Sequence, residues 1–292
     1  MSDVVAAAYS QCQRLAREHY ENFPVASYLL PAPMRPHVAA IYAFARTADD
    51  FADEPGMADA ERLSRLDDWG RRLTQAAQGQ DPAGADDASR IFLALGHTMK
   101  ACRLPVELFE DLLSAFRQDV IRTRYDTWAS VLDYCRRSAN PVGRLVLRVG
   151  GYRSPTLDAQ SDALCTALQL TNFWQDLERD WRIGRIYVPA DARISAGASE
   201  DDLAAGQITP GWRAVMADMT RRTRLLFDEG RPVCDGVRGR LRWELRLTWL
   251  GATRILDRLE AAGYDVFTNR PRLSAADGPG LAWQALTWRR GS

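Results

Sequence analysis

Two pairs of aspartates stand at helical spacing in separate parts of the chain: Asp49 and Asp53 in IYAFARTADDFAD, and Asp176 and Asp180 in QLTNFWQDLERDW. An α-helix advances about 100° per residue, so with Asp49 at the origin Tyr42 falls at about 20°, Asp53 at about 40° and Arg46 at about 60°. In the second run, with Gln169 at the origin, Asn172 falls at about 300°, Asp176 at about 340° and Asp180 at about 20°. Each helix thus carries one polar, acidic stripe, with Ile41, Phe44, Leu168 and Leu170 supplying apolar surface around it. Carboxylates gathered this way repel one another and are costly to desolvate. A divalent cation reverses that balance. Mg²⁺ binds one or two carboxylates, keeps several waters and completes its shell with phosphate oxygens, and it stabilises the charge of a departing diphosphate. Spacing alone is a weak signal: Asp158 and Asp162 repeat it just after Ser154-Pro155, where acids suit the first turn of a helix and read as solvated. The polar neighbours single out the other two pairs: Tyr42 and Arg46 beside one, Gln169 and Asn172 beside the other. Glu178 projects to the opposite side of its helix.

The elements that must position these groups are helical almost throughout. Periodicity predicts helices near 3–20, 35–53, 59–78, 87–101, 105–122, 127–149, 157–182, 210–231 and 236–262. Pro36 and Pro105 suit first turns, and Pro55-Gly56 ends the first acidic helix. QGQDPAGADD and PADARISAGASEDD read as surface loops, and RIYVP is the one strand-like run. Pro141 lies within the 127–149 pattern and implies either a kink beside a cavity or a break between two shorter helices. The final LAWQALTWRR reads either as an interfacial anchor or as a tail packed on the domain or partly disordered. With no visible linker or repeat, the 292 residues are expected to form a single all-α domain.

Composition excludes several classes. Formal net charge is zero, which argues against bulk electrostatic binding of nucleic acid. Lys100 is the only lysine, and no motif around it supports Schiff-base chemistry. Five dispersed cysteines without a CxxC pair suggest reduced thiols and a cytoplasmic setting. Three histidines, none closely paired, disfavour zinc. No signal peptide and no long apolar stretch is evident. No GxGxxG follows a predicted strand, so the sequence gives no positive sign of a dinucleotide site.

Several blocks in order give the chain a resemblance to the squalene/phytoene synthase family of head-to-head isoprenyl synthases, over roughly residues 15–275. FARTADDFADE resembles the family's first aspartate-rich region. QLTNFWQDLERDWRIGRIYVP resembles the second, including its closing Gly184-Arg185 and Tyr187-Val188-Pro189; YCRRSANPVG and GYDVF resemble a cavity-lining helix and the C-terminal helix. ENFPVASYLLP followed by RPHVAAIYAFARTADDFADE is most similar to the bacterial hopanoid-pathway branch that makes hydroxysqualene. The resemblance implies an isoprenoid synthase helical bundle around a central apolar cavity. It also implies Mg²⁺ on Asp49, Asp53, Asp176 and Asp180, diphosphate contacts from Arg46, Gln169 and Asn172, and Tyr42 and Tyr134 near the reacting carbons. Asn22 and Phe23 fall at the substrate-binding segment, where Phe23 either faces a carbocation or simply packs in the core.

The departures are informative. The condensing members' Ser-Lys-Ser stretch before the aligned Phe23 reads Tyr20, Glu21 and Asn22 here, so a diphosphate-binding lysine is missing. Gln175 replaces an arginine before the second acid pair, Arg179 replaces a glutamate, and a tyrosine of the last large helix falls at Ala252 or a neighbour. Weaker diphosphate machinery suits an enzyme taking one preformed substrate. The expectation is therefore Mg²⁺-dependent ionisation of presqualene diphosphate, rearrangement and capture by water, without NADPH. A presqualene diphosphate synthase would supply the substrate, and a flavin-dependent reductase would consume hydroxysqualene. Peripheral contact with the inner membrane face fits such greasy molecules. The alternatives are a condensing presqualene diphosphate or phytoene synthase, and a noncatalytic helical protein, against which the intact acid pairs argue.

Overall fold

The computed structural model describes residues 3–18, 29–84 and 86–288, and Asn22 and Phe23 lie outside them. Among the described residues there is no β-strand, and the fold is all-α. The chain forms two compact units. The first comprises residues up to Ile121, Pro141–Asp158 and Gly239–Glu244; the second comprises Arg122–Asn140, Ala159–Arg238 and the residues from Leu245 onward.

The first unit contains α1 (Asp3–Glu18), α2 (Arg35–Asp53), α3 (Asp59–Ala77), α4 (Asp87–Cys102) and α5 (Glu107–Ile121). Helix α2 carries the first acid pair. It starts with a proline in its first turn and stops at Glu54, whose extended backbone is what a following proline imposes. Its inner face is alanine-rich around Ile41 and Phe44, which lets neighbouring helices approach closely. Phe44 is fully buried and meets Trp69, Phe92 and Phe109 with ring centroids 6.1, 6.0 and 5.4 Å away. Trp69 Nε1 donates to the Phe44 carbonyl at 3.2 Å. Each such ring contributes roughly 1.5–3 kcal/mol by burial, so this aromatic cluster holds α2 in place and leaves its acidic face outward. A polar knot, buried at Tyr9 and Thr98, ties α1 to α2 and α4: the Tyr9 hydroxyl lies 2.9 Å from His97 Nδ1, 3.1 Å from His37 Nδ1 and 2.7 Å from Thr98 Oγ1. Burial pushes the Tyr9 phenol up to about 12 and lowers the His37 pKa, so both stay neutral near pH 7.

The second unit contains α6 (Trp128–Ser138), most of α8 (Pro155–Gln175), α9 (Leu177–Arg182), α10 (Ala190–Ala196), α11 (Glu200–Ala204), α12 (Pro210–Gly230) and α13 (Val233–Gly236). It also holds most of α14 (Gly239–Ala261) and all of α15 (Gly278–Leu286). Thr127 caps α6 through a reciprocal box with Ser130. Trp174 is fully buried and donates to Thr223 Oγ1 at 2.8 Å, fixing α8 against α12.

Several expectations are corrected. The 127–149 pattern is two helices, because Ala139 interrupts it and α7 (Asn140–Val149) follows with Pro141 in its first turn. This is the break rather than the kink, and Asn140 is held at the junction by a 2.8 Å bond from Thr166. The 157–182 pattern departs from helical geometry at Asp176 (φ −102°, ψ 10°). PADARISAGASEDD is not loop throughout, since it contains α10 and α11, the latter started by a Ser199/Asp202 capping box. RIYVP forms only an isolated parallel bridge, Arg124 to Ile186. Asp158 is not a solvated first-turn acid: it forms a half-buried pair with Arg148, whose Nη1 lies 2.7 Å from Asp158 Oδ1.

Candidate active site

In the first unit, Tyr42, Arg46, Asp49 and Asp53 follow one another along α2 at the spacing read from the sequence. Arg46 spans two acids, reaching Asp50 at 2.6 Å and Asp49 at 3.4 Å. Its Nε is buried and has no hydrogen-bond partner among the described residues. Tyr42 is half-buried, and that burial raises its phenol pKa, with Asp50 and Asp49 adding to the rise and Arg46 opposing it. The tyrosine is therefore a neutral hydrogen-bond donor beside a charged cluster. Asp53, one turn on, is exposed.

In the second unit, the acid pair sits where α8 gives way to α9. The i→i−4 backbone bonds persist there, Asp176 N–H to Asn172 O and Asp180 N–H to Asp176 O, both 2.8 Å, so Asp180 remains one turn beyond Asp176. Asn172 Nδ2 donates to Asp176 Oδ2 at 2.8 Å, as its shared face requires. Gln169 is half-buried two turns earlier.

One partner was not foreseen. Arg270, 94 residues downstream, grips Asp176 with both Nε and Nη2, the latter at 3.0 Å. Gln175 donates to the carbonyl of Pro271, so residues 266–272 run as a strap across the α8–α9 junction. A cleft of about 310 Å³ opens there, lined by Gln175, Glu178, Val266 and Phe267 and by four arginines, Arg179, Arg182, Arg270 and Arg272. Glu178 lines the same cleft as Arg270, the partner of Asp176. It faces this cleft rather than open water, with its side chain only 17% exposed and paired to Arg182. The one sequence signal for Arg270 was a pair of arginines, TNRPR, directly after GYDVF.

Tyr134 is buried in an aromatic group with Tyr125, Phe173 and Tyr187, its ring centroid 5.6–6.0 Å from theirs. The segment after α9 frames that group. Gly184 takes φ +81°, a conformation costly for any other residue, and the chain turns back with Arg185 N–H on Asp180 O at 2.7 Å. Ile186 N–H then bonds Thr123 O at 2.9 Å, and Arg124 locks the turn through Glu200 at 3.0 and 2.9 Å.

Both acid sets offer only oxygen donors and already hold guanidinium groups against their carboxylates. That chemistry fits a hard divalent cation and a phosphate oxygen, and the buried, unpartnered Arg46 Nε adds a donor for an anion.

The squalene/phytoene synthase family model matches residues 16–277, which include both acid sets and the strap. The chain belongs to that family. A hydroxysqualene synthase of Zymomonas mobilis is 44% identical over 184 residues, which is 63% of this chain and 59% of that protein. One of Rhodopseudomonas palustris is 36% identical over 82% of this chain and 80% of its own length. The crystal structure of squalene synthase HpnC from Alicyclobacillus acidocaldarius superposes with a TM-score of 0.82 at 40% identity, covering 90% of this chain and 97% of that one. The matched range includes Gly184-Arg185 and Tyr187-Val188-Pro189, the turn that closes the second acidic block. Among the described residues, no helix is long and apolar enough to cross a membrane.

Proposed function

We propose that this protein is a hydroxysqualene synthase, which ionises presqualene diphosphate and lets water capture the rearranged cation. Two relatives carrying that name support the reading, and one of them matches over four-fifths of both chains. The observation that carries it is the pairing of Asp176 with Arg270 beside Gln175. The acid of the second motif is retained, while the guanidinium missing at position 175 comes from the strap. Of the four arginines lining the cleft, Arg270 grips Asp176 with two donors, an arrangement suited to a single diphosphate leaving group.

Magnesium, held by Asp49, Asp53, Asp176 and Asp180, would neutralise charge on the departing diphosphate. Arg46 and Arg270 carry donors suited to phosphate oxygens, and charge-assisted bonds of this kind strengthen as charge develops on the leaving group. Gln169 and Asn172 supply neutral amide donors on the same stripe. Tyr42, kept protonated by burial, adds a hydroxyl donor, and the faces of Tyr42 and Tyr134 can stabilise a carbocation. The cyclopropylcarbinyl cation rearranges, one water adds and loses a proton, and no hydride is consumed. The substrate must come from a head-to-head condensing synthase, and the alcohol product must pass to a flavin-dependent reductase.

The test is a product assay with Mg²⁺ and no NADPH, offering presqualene diphosphate in one reaction and farnesyl diphosphate alone in another. Hydroxysqualene in the first and nothing in the second is the expected outcome. Presqualene diphosphate formed in the second would make this a condensing enzyme. Two further variants separate the roles around the strap. Arg270→Gln raises KM for presqualene diphosphate by on the order of tenfold or more, because a charge-assisted contact is lost. Glu178→Gln stays within about threefold of the parent, since its ion pair with Arg182 is partly exposed and a carboxylate offers no donor to phosphate oxygens. Steady-state diphosphate release measures both, and equal losses in the two variants would contradict the assignment of Arg270.

A further inference from the structure

The Asp176 carboxylate already holds three donors. Arg270 Nε donates to Oδ1, Arg270 Nη2 to Oδ2 at 3.0 Å and Asn172 Nδ2 to Oδ2 at 2.8 Å. Both lone pairs of Oδ2 are thereby taken, and Arg179 Nε stands 3.9 Å from Oδ1. The ion pair is largely withdrawn from water, with the Asp176 side chain 15% and that of Arg270 22% exposed. Its attraction is accordingly stronger than that of a surface pair. The surroundings have the wrong sign for a bare cation, because four arginines and a single acid, Glu178, line the cleft.

The guanidinium is free to leave while the strap stays. Thr268 and Asn269, just before Arg270, are exposed, whereas Val266 and Pro271 on either side are buried. Gln175 holds the Pro271 carbonyl and Arg258 holds the Arg272 carbonyl. These ties do not involve the Arg270 side chain, so its departure from Asp176 does not unseat the backbone.

We propose that Arg270 switches between Asp176 and the diphosphate, and so makes metal and diphosphate bind as a unit. The inference rests on the assignment of Asp176 to Mg²⁺ in the catalytic reading. Paired with Asp176, the guanidinium occupies oxygens that a divalent cation requires, and it opposes binding of metal alone. A diphosphate offers that guanidinium a second anion. Arg270 then transfers to phosphate oxygens, and Asp176 is released to the cation. Mg²⁺ is a suitable partner in this exchange, since it ordinarily joins one or two carboxylates to substrate phosphates. Each ligand raises the affinity of the other by the same factor.

The test compares the parent with Arg270→Gln in two binding measurements that need no turnover. In the first, Mn²⁺ replaces Mg²⁺ without diphosphate, and its free fraction is read by electron paramagnetic resonance. Asp176→Asn identifies which Mn²⁺ site is being counted. In the second, inorganic diphosphate is titrated calorimetrically at saturating Mg²⁺. Arg270→Gln is expected to bind Mn²⁺ alone about five- to tenfold more tightly and diphosphate about tenfold more weakly. Arg270→Lys, which keeps the charge and loses the fork, should fall between. A purely structural role for Arg270 would weaken both constants together. The proposal is overturned if Arg270→Gln binds Mn²⁺ no more tightly than the parent, or if its affinity for diphosphate is unchanged. Neither constant depends on which product forms, so presqualene diphosphate in the product assay would overturn the hydroxysqualene reading and leave the switch standing. Failure of Mn²⁺ to bind either protein would overturn the switch together with the metal assignment.

Discussion

Asp176→Asn should lower kcat by on the order of 10²–10³-fold while leaving the far-ultraviolet circular dichroism unchanged. The carboxylate oxygens receive Asn172 and both arms of Arg270, so the residue is the electrostatic centre of the second acid set. An amide keeps the shape but gives up the negative charge, and with it the ability to bind a divalent cation firmly. It also turns an NH₂ toward the guanidinium it should accept from. The backbone bonds through this residue do not involve its side chain, so the helix junction survives. Diphosphate release at saturating Mg²⁺ measures the effect, and undiminished turnover in folded protein would falsify the metal assignment.

The largest effect on stability is expected at Gly230. A Cβ built there would stand 2.5 Å from the Leu164 nitrogen, 2.8 Å from its Cα and 2.9 Å from its Cβ. Two of those atoms are backbone, so no rotamer change relieves the clash, and α12 must move away from α8. Overpacking of this kind costs about 1–3 kcal/mol and occasionally more, and the backbone partners put Gly230→Ala at about 3 kcal/mol. Gly280→Ala on α15 is the matched control, because nothing lies within 4 Å of its added carbon. Urea midpoints should fall sharply for the first and barely move for the second. Equal midpoints would mean that the close approach of α12 to α8 is not maintained in solution. Since α8 carries Gln169 and Asn172, the first variant should also lose activity at temperatures where it remains folded.

What the sequence disclosed and what it hid divide along physical lines. Helix α2 was readable to the residue because Pro36 and Pro55-Gly56 punctuate both ends and alanine spacing marks its inner face. The stripes on α2 and α8 were readable because helical phase is local. The departure at Asp176 was not, since QDLERD contains no proline or glycine and the structure at that point is tied to Arg270 from 94 residues away. Asp158 was misread for the same reason: its partner Arg148 stands across the turn at Gly150-Gly151. Helices α10 and α11 are seven and five residues long, too short to impose a period, although the Ser199/Asp202 cap was available in SEDD. Asn22 and Phe23 lie outside the described residues.

The strap has a consequence for how the chain is made. Synthesis runs from the N-terminus at about 5–20 residues per second, and early segments ordinarily fold as they emerge. Here the first unit draws on Gly239–Glu244, and Asp176 waits for Arg270. Neither unit can close until most of the polypeptide has left the ribosome. The nascent protein therefore travels with Asp176 still awaiting its strap partner and with apolar faces open until late in translation.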